Sequence, residues 1–147
     1  MTKLDQRFKF FSAAFVCLIK NNKILLIRRF NTGFEDGNYS LPAGFIDKNE
    51  TATQATVREC KEETGVSIKE KDLKFIHTMF RKGRGGVWVD HFFICKKWTG
   101  KPAITEPDKC DHIAWFGLND LPKNIIPFVK QVLKCYKNKT YYSEFGW

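Results

Sequence analysis

Only one stretch of this chain has its conformation signed at both ends: residues 51–66, TATQATVRECKEETGV. Thr51, with Gln54 three positions on, forms a capping-box pair, in which each side chain satisfies a backbone N–H at the start of a helix. Gly65 suits the left-handed position just past a helix end. The spacing predicts a helix over 51–64. The flanks read as strands. Residues 10–19 (FFSAAFVCLI) and 23–29 (KILLIRR) predict a hairpin closed at Asn21-Asn22. A Gly/Asn-rich loop follows, then YSLPAGF, where Pro42 and Gly44 disfavour a helix. Residues 73–80 and 87–97 predict two more strands joined by the turn RKGRGG, and 113–116 a last short one. Residues 98–112 read as a loop, and 125–138 as a closing amphipathic helix with Pro127 in its first turn. Strands on both sides of one central helix, with a second helix at the end, predict an α/β (α+β) fold: a mixed β-sheet sandwiched between helices. At 147 residues, with no internal repeat or linker-like tract, the expectation is one domain over 1–147.

The chain is basic, with 25 Lys and Arg against 16 Asp and Glu, a formal net charge of +9. That balance favours anionic partners such as nucleotides. No RRM, KH or cold-shock signature is present, which argues against a nucleic-acid-binding module. No apolar run reaches the roughly 18 residues of a membrane span. The basic-then-apolar start reads as a first core strand rather than a signal peptide, since it runs straight into a second strand. The five cysteines, at 17, 60, 95, 110 and 135, are odd in number and show no CxxC pairing, the pattern of reduced thiols in a cytoplasmic protein. His77, His91 and His112 form no HExxH pattern.

Against this basic background, Glu59, Glu62 and Glu63 stand at i, i+3 and i+4 on the predicted helix. They fall within an arc of about 100°, with neighbouring Cβ atoms ~5–6 Å apart. On a solvated face, flanked by Arg58 and Lys61, such a cluster is merely an acidic stripe. In a cleft with effective dielectric near 20, two carboxylates 4 Å apart repel by roughly 4 kcal/mol. A divalent cation relieves that repulsion. All-oxygen ligands point to Mg²⁺ or Mn²⁺ rather than zinc.

The wider spacing is more specific. Gly44, five residues, Glu50, seven residues, then Arg58-Glu59-Cys60-Lys61-Glu62-Glu63-Thr64-Gly65-Val66 resembles the nudix box at every fixed position. One aliphatic slot departs, holding Cys60, where looser core packing is expected with the chemistry unaffected. The flanks are similar to the MutT-like branch of that family. ILLIRR resembles its second strand, Trp98 to Glu106 a stretch of tryptophan, Gly-x-Pro and loop glutamate, and GLNDLPKN the segment carrying a base-reading asparagine, here Asn124.

The resemblance implies a nudix pyrophosphohydrolase fold and hydrolysis of a nucleoside diphosphate linked to a further group. It implies Glu59 and Glu63 as principal metal ligands, with Glu62 a third ligand or the general base. The Ala43 carbonyl would complete the metal shell, with Gly44 allowing the close backbone approach, and Arg58 with Glu50 would form a supporting ion pair. Glu106 is a further ligand, the base, or a solvent-exposed loop glutamate. Arg29 is the favoured phosphate clamp. Arg81, Lys82 and Arg84, placed on the turn after residue 80, reach a phosphate or form a solvated hairpin tip. Phe34, Tyr39, Trp88 and Phe92 are stacking partners for a base or core residues, and Asn124 reads a purine or caps the last helix. The expected small-molecule substrate is a nucleoside triphosphate, such as an oxidised purine nucleotide, cleaved to monophosphate and pyrophosphate. Dihydroneopterin triphosphate, a nucleotide sugar or ADP-ribose are alternatives, as is a nucleotide- or RNA-binding nudix module without catalysis. The aromatic tail YYSEFGW is expected to pack back on the domain or across a homodimer interface.

Overall fold

The computed structural model describes residues 1–147. In chain order it contains β1 (Phe11–Lys20), β2 (Lys23–Arg29), β3 (Tyr39–Ser40), β4 (Ala43–Phe45), α1 (Ala52–Thr64), a 3₁₀ turn (Glu70–Asp72), β5 (Leu73–Gly83), β6 (Gly86–Cys95), β7 (Cys110–Gly117), α2 (Pro127–Lys137) and β8 (Tyr142–Phe145).

β1 is the hinge of the architecture. Its first half pairs antiparallel with β4 and parallel with β6, and its end turns through Asn21 and Asn22 into β2. Both asparagines hold positive φ, 52° and 59°, as a two-residue hairpin turn requires. β2 then pairs with β3 and β7. β6 continues through β5 to β8, so the strand order is β3-β2-β1-β6-β5-β8, with β4 against β1 and β7 against β2.

Seven consecutive residues of β1, Ala13 to Ile19, are buried, because both faces of the sheet are covered. Phe15, Cys17 and Ile19 join Phe92, Met79 and the α2 residues Phe128, Val129, Val132 and Leu133 in the larger core cluster. Val16 and Leu18 point the other way, into a cluster with Leu25, Val66, Cys95 and Cys60 of α1. The strand's two-residue period thus sends alternate side chains to opposite helices. The expected sheet between helices is the observed fold.

α1 is capped as its sequence spells. The Gln54 N–H donates to Thr51 Oγ1 at 3.2 Å, and the Thr51 N–H to Gln54 Oε1 at 2.9 Å. Gly65 lies at φ 76° and its N–H donates to the Lys61 carbonyl. Cys60 is fully buried, its thiol pushed up to about 11 by that burial. Several boundaries differ from expectation. β5 and β6 run to Gly83 and from Gly86, leaving only Arg84 and Gly85 as the hairpin tip. β7 begins at Cys110, inside the predicted loop. The tail forms β8 beside β5, with Trp147 stacked on Phe80 at 5.7 Å. No helix is long and apolar enough to cross a membrane.

Candidate active site

β4 brings Ala43 and Gly44 against the glutamate face of α1. The Ala43 N–H donates to Glu63 Oε2 at 3.3 Å. On either side, the Val16 N–H donates to the Pro42 carbonyl and the Ile46 N–H to the Ser12 carbonyl. Ala43, opposite Phe15 and between those bonded positions, therefore turns its own N–H and C=O away from β1. Its carbonyl faces the side on which Glu63 sits. Gly44 leaves room for the Glu59 carboxylate: a Cβ there would overlap it and push the Glu59 side chain aside.

Arg58 is the hub of the acidic segment. Its Nε and Nη2 grip Glu50 at 2.7 and 2.9 Å, Nη2 also donates to the Phe45 carbonyl, and Nη1 reaches Glu59 Oε1 at 2.8 Å and Glu62 Oε2 at 3.2 Å. The Arg58 guanidinium and the Asp47 N–H hold the Glu50 carboxyl down to about 2. Glu59 and Glu63 are partly buried, and the Glu62 side chain is half-exposed. Burial first, then the charge of Glu59, pushes Glu63 well above the ordinary carboxylate range; the Ala43 N–H and Arg29 pull the other way. Burial raises Glu59 too, against the pull of Arg58.

These residues fit a hard divalent cation. Every donor is oxygen; Glu63 is a repelled carboxylate with no cation of its own bonded to it, and the Ala43 carbonyl faces its side. The side chains alone do not make a three-ligand cluster. Arg58 Nη1 stands between Glu59 and Glu62, so a cation must compete with that guanidinium. Glu106 lies on the loop before β7, its side chain 35% exposed and 3.9 Å from Lys109 Nζ. Its charge is felt at Glu63.

A cavity of about 450 Å³ opens beside Glu63, lined among others by Ala43, Gly44, Arg29, Arg84, Phe34 and Trp88. Arg29 is fixed by its Nε–H to the Phe34 carbonyl at 2.7 Å and by Nη2 to Thr32 Oγ1. Arg84 Nη1 donates to the Gly33 carbonyl. Neither guanidinium pairs with a carboxylate. Arg28 turns away from this cavity to Asp111, as strand alternation requires.

Arg81 is not on a turn. It belongs to β5, is 6% exposed, and forms a two-bond ion pair with the fully buried Asp90. Lys82 lies on the opposite side, 5.6 Å from the Trp147 ring. Asn124 does not cap α2, whose N-cap is Ile126; its amide donates instead to the Gly37 carbonyl at 2.7 Å. Phe34 and Trp88 line the cavity, whereas Tyr39 and Phe92 are core residues. Phe11, Phe45, Phe128 and Asp90 escaped sequence reading. Alternation along β1 and β6 put Phe11 and Asp90 on defined faces, but which strands adjoin is not written locally.

The NUDIX domain family model matches residues 9–136 of the chain. The chain belongs to the NUDIX family. This NUDIX domain is 38% identical over 104 residues to an ADP-ribose pyrophosphatase of Methanocaldococcus jannaschii, over 71% of this chain and 60% of that protein. It is 28% identical over 116 residues to the 8-oxo-dGTP diphosphatase of Escherichia coli K12, over 77% and 88% of the two chains. A MutT NUDIX hydrolase structure from Burkholderia pseudomallei superposes with a TM-score of 0.80 at 26% identity, covering 86% of this chain and 98% of that one. The family and fold inferred from the nudix box hold.

Proposed function

We propose that this NUDIX domain is a metal-dependent pyrophosphohydrolase that cleaves a nucleoside triphosphate, or another nucleoside diphosphate linked to a group X, at a pyrophosphate bond. Water adds to one phosphorus and the bridging P–O bond breaks with release of a proton; a triphosphate gives the monophosphate and pyrophosphate, and a diphosphate linked to X gives the monophosphate and the phosphate of X. The observation that carries this reading is the juxtaposition of opposite charges around one cavity: the Glu63 carboxylate beside the Ala43–Gly44 backbone, and the two unpaired guanidiniums of Arg29 and Arg84.

Glu59 and Glu63, with the Ala43 carbonyl, are the residues that would hold Mg²⁺ or Mn²⁺. Such an ion supplies charge neutralisation on the phosphates and activation of water. Arg29 and Arg84 bind the phosphate oxygens, a task suited to planar donors. Arg58, braced by Glu50, fixes the side-chain direction of Glu59 and Glu62. Glu62 is half-exposed beside the cluster and bonds Arg58 through Oε2, which leaves Oε1 to accept a proton from water; Glu106 is the second residue for that role, through its electrostatic contact with Glu63. The identity with the archaeal protein favours ADP-ribose as the second substrate reading.

The test is hydrolysis of a nucleotide panel, with and without Mg²⁺ or Mn²⁺, and ³¹P identification of products. Glu63→Gln and Glu59→Gln should each abolish the metal-dependent release while circular dichroism stays unchanged. Activity within twofold of wild type in either variant rejects the assignment.

A further inference from the structure

The far wall of the cavity is built from a pair that phosphate chemistry does not use. The register places Phe11, Ala13 and Phe15 of β1 beside Trp88, Asp90 and Phe92 of β6, and these beside Arg81, Met79 and His77 of β5. All lie on the face that α2 covers. Asp90 accepts from Arg81 Nε at 2.6 Å and Nη2 at 3.3 Å. The guanidinium carbon sits 4.2 Å from the Phe128 ring centre and 5.0 Å from that of Trp88. Packed between two rings and tied along one edge, Arg81 has one orientation.

Its other edge has no protein partner. A guanidinium carries five N–H donors, and Asp90 takes one from Nε and one from Nη2. Nη1 donates to nothing, yet no buried side-chain nitrogen or oxygen in the molecule lacks a partner. Nη1 is therefore on the cavity surface, where Arg81 is a lining residue. Because Asp90 cancels its charge, Arg81 offers a neutralised fork of donors, in contrast to the unpaired Arg29 and Arg84. Around it stand flat walls. Phe11 and Phe45, 42% and 53% exposed, lie 4.8 and 5.1 Å from Trp88, an unusual outlay of exposed aromatic surface at the rim. Rings of this kind stack a nucleobase.

We propose that the Arg81–Asp90 pair is a specificity element that reads the base of the substrate and selects 6-keto purines over adenine. Two parallel donors match the O6 and N7 acceptors of guanine or hypoxanthine. Adenine presents N7 but puts its N6 amino donor against the second N–H. 8-Oxoguanine keeps O6 but carries a proton on N7, and so meets half of the fork. The inference rests on the nucleotide reading above and narrows it to guanine- and hypoxanthine-type nucleotides.

Binding of monophosphates in metal-free buffer, measured by calorimetry on the full chain, separates base reading from hydrolysis. GMP and IMP should bind roughly tenfold or more tighter than AMP, the discrimination of one bidentate pair. 7-Deaza-GMP, which lacks the N7 acceptor, should lose a large part of that advantage. Arg81→Gln combined with Asp90→Asn removes both charges together, and should bring GMP and AMP within about threefold of each other. Equal or tighter binding of AMP, no binding of either, 7-deaza-GMP equal to GMP, or an unchanged preference in the double variant each overturns the proposal. The 7-deaza comparison needs no variant and decides the matter even if the double variant fails to fold. Metal-dependent hydrolysis of any nucleotide in the panel leaves the broader reading standing when the base preference fails.

Discussion

At the scale of single residues, Gly44 shows how closely backbone and carboxylate are fitted. Its conformation is open to any residue, so the requirement for glycine comes from Glu59 alone. Gly44→Ala should therefore cost little stability but displace the Glu59 carboxylate. A misplacement of about 1 Å at a reacting centre can cost on the order of a hundredfold in rate, so kcat should fall by about tenfold or more with the melting temperature nearly unchanged. A variant with wild-type kcat would show that Glu59 has no fixed task. The residues of this cluster were legible in the sequence because α1 spaces them by its own helical period. The local sequence places Arg81 on a turn, whereas β5 holds it, because its partner Asp90 is set by strand register rather than by local spacing. That Asn124 does not cap α2 is not written locally either, because Gly37, whose carbonyl it meets, lies 87 positions away.

At the scale of elements, β8 is held by more than its ladder to β5. His77 Nδ1 bonds the Thr140 carbonyl at 2.8 Å and Nε2 the Ser143 hydroxyl at 2.7 Å, while the Gln131 amide donates to the same hydroxyl. Deleting residues 141–147 should lower the melting temperature by about 5 °C or more, given ~2–4 °C per kcal/mol in a chain of this size. An unchanged melting temperature would mean that the tail is ornamental. Burial lowers His77 and His91 below the ordinary histidine value of 6.5. The neutral ring is thus favoured by folding, and below pH 6.5 the unfolded chain binds more protons. Stability is full above that pH and falls as pH drops through it. In the truncated chain His77 loses the cover of β8 and so part of the burial that lowers it, and the pH slope of melting should become shallower; an equal slope would remove His77 from the account. The long strands and both helices were legible from caps and alternation. The two-residue β3, three-residue β4 and four-residue β8 were not, because strands so short carry no period and exist only by pairing with neighbours.

Taken whole, the molecule sets a net charge of +9 around a cavity that holds two cations without carboxylate partners. Such a field steers anions and is screened within ~8–10 Å at physiological salt. Raising NaCl from about 50 to about 300 mM should lower kcat/KM several-fold, mainly through KM. A salt-independent KM would place the recognition in short-range contacts alone. The position of β8 has a further consequence. β5 is eleven residues long, and without a neighbour on its outer side it would offer a row of free N–H and C=O groups to any other chain. β8 covers Thr78 to Arg81 of that row and is itself only four residues long, with Glu144 among them. Residues 142–145 thus replace a long adhesive border with a short one, which presents far fewer free backbone groups to a further strand.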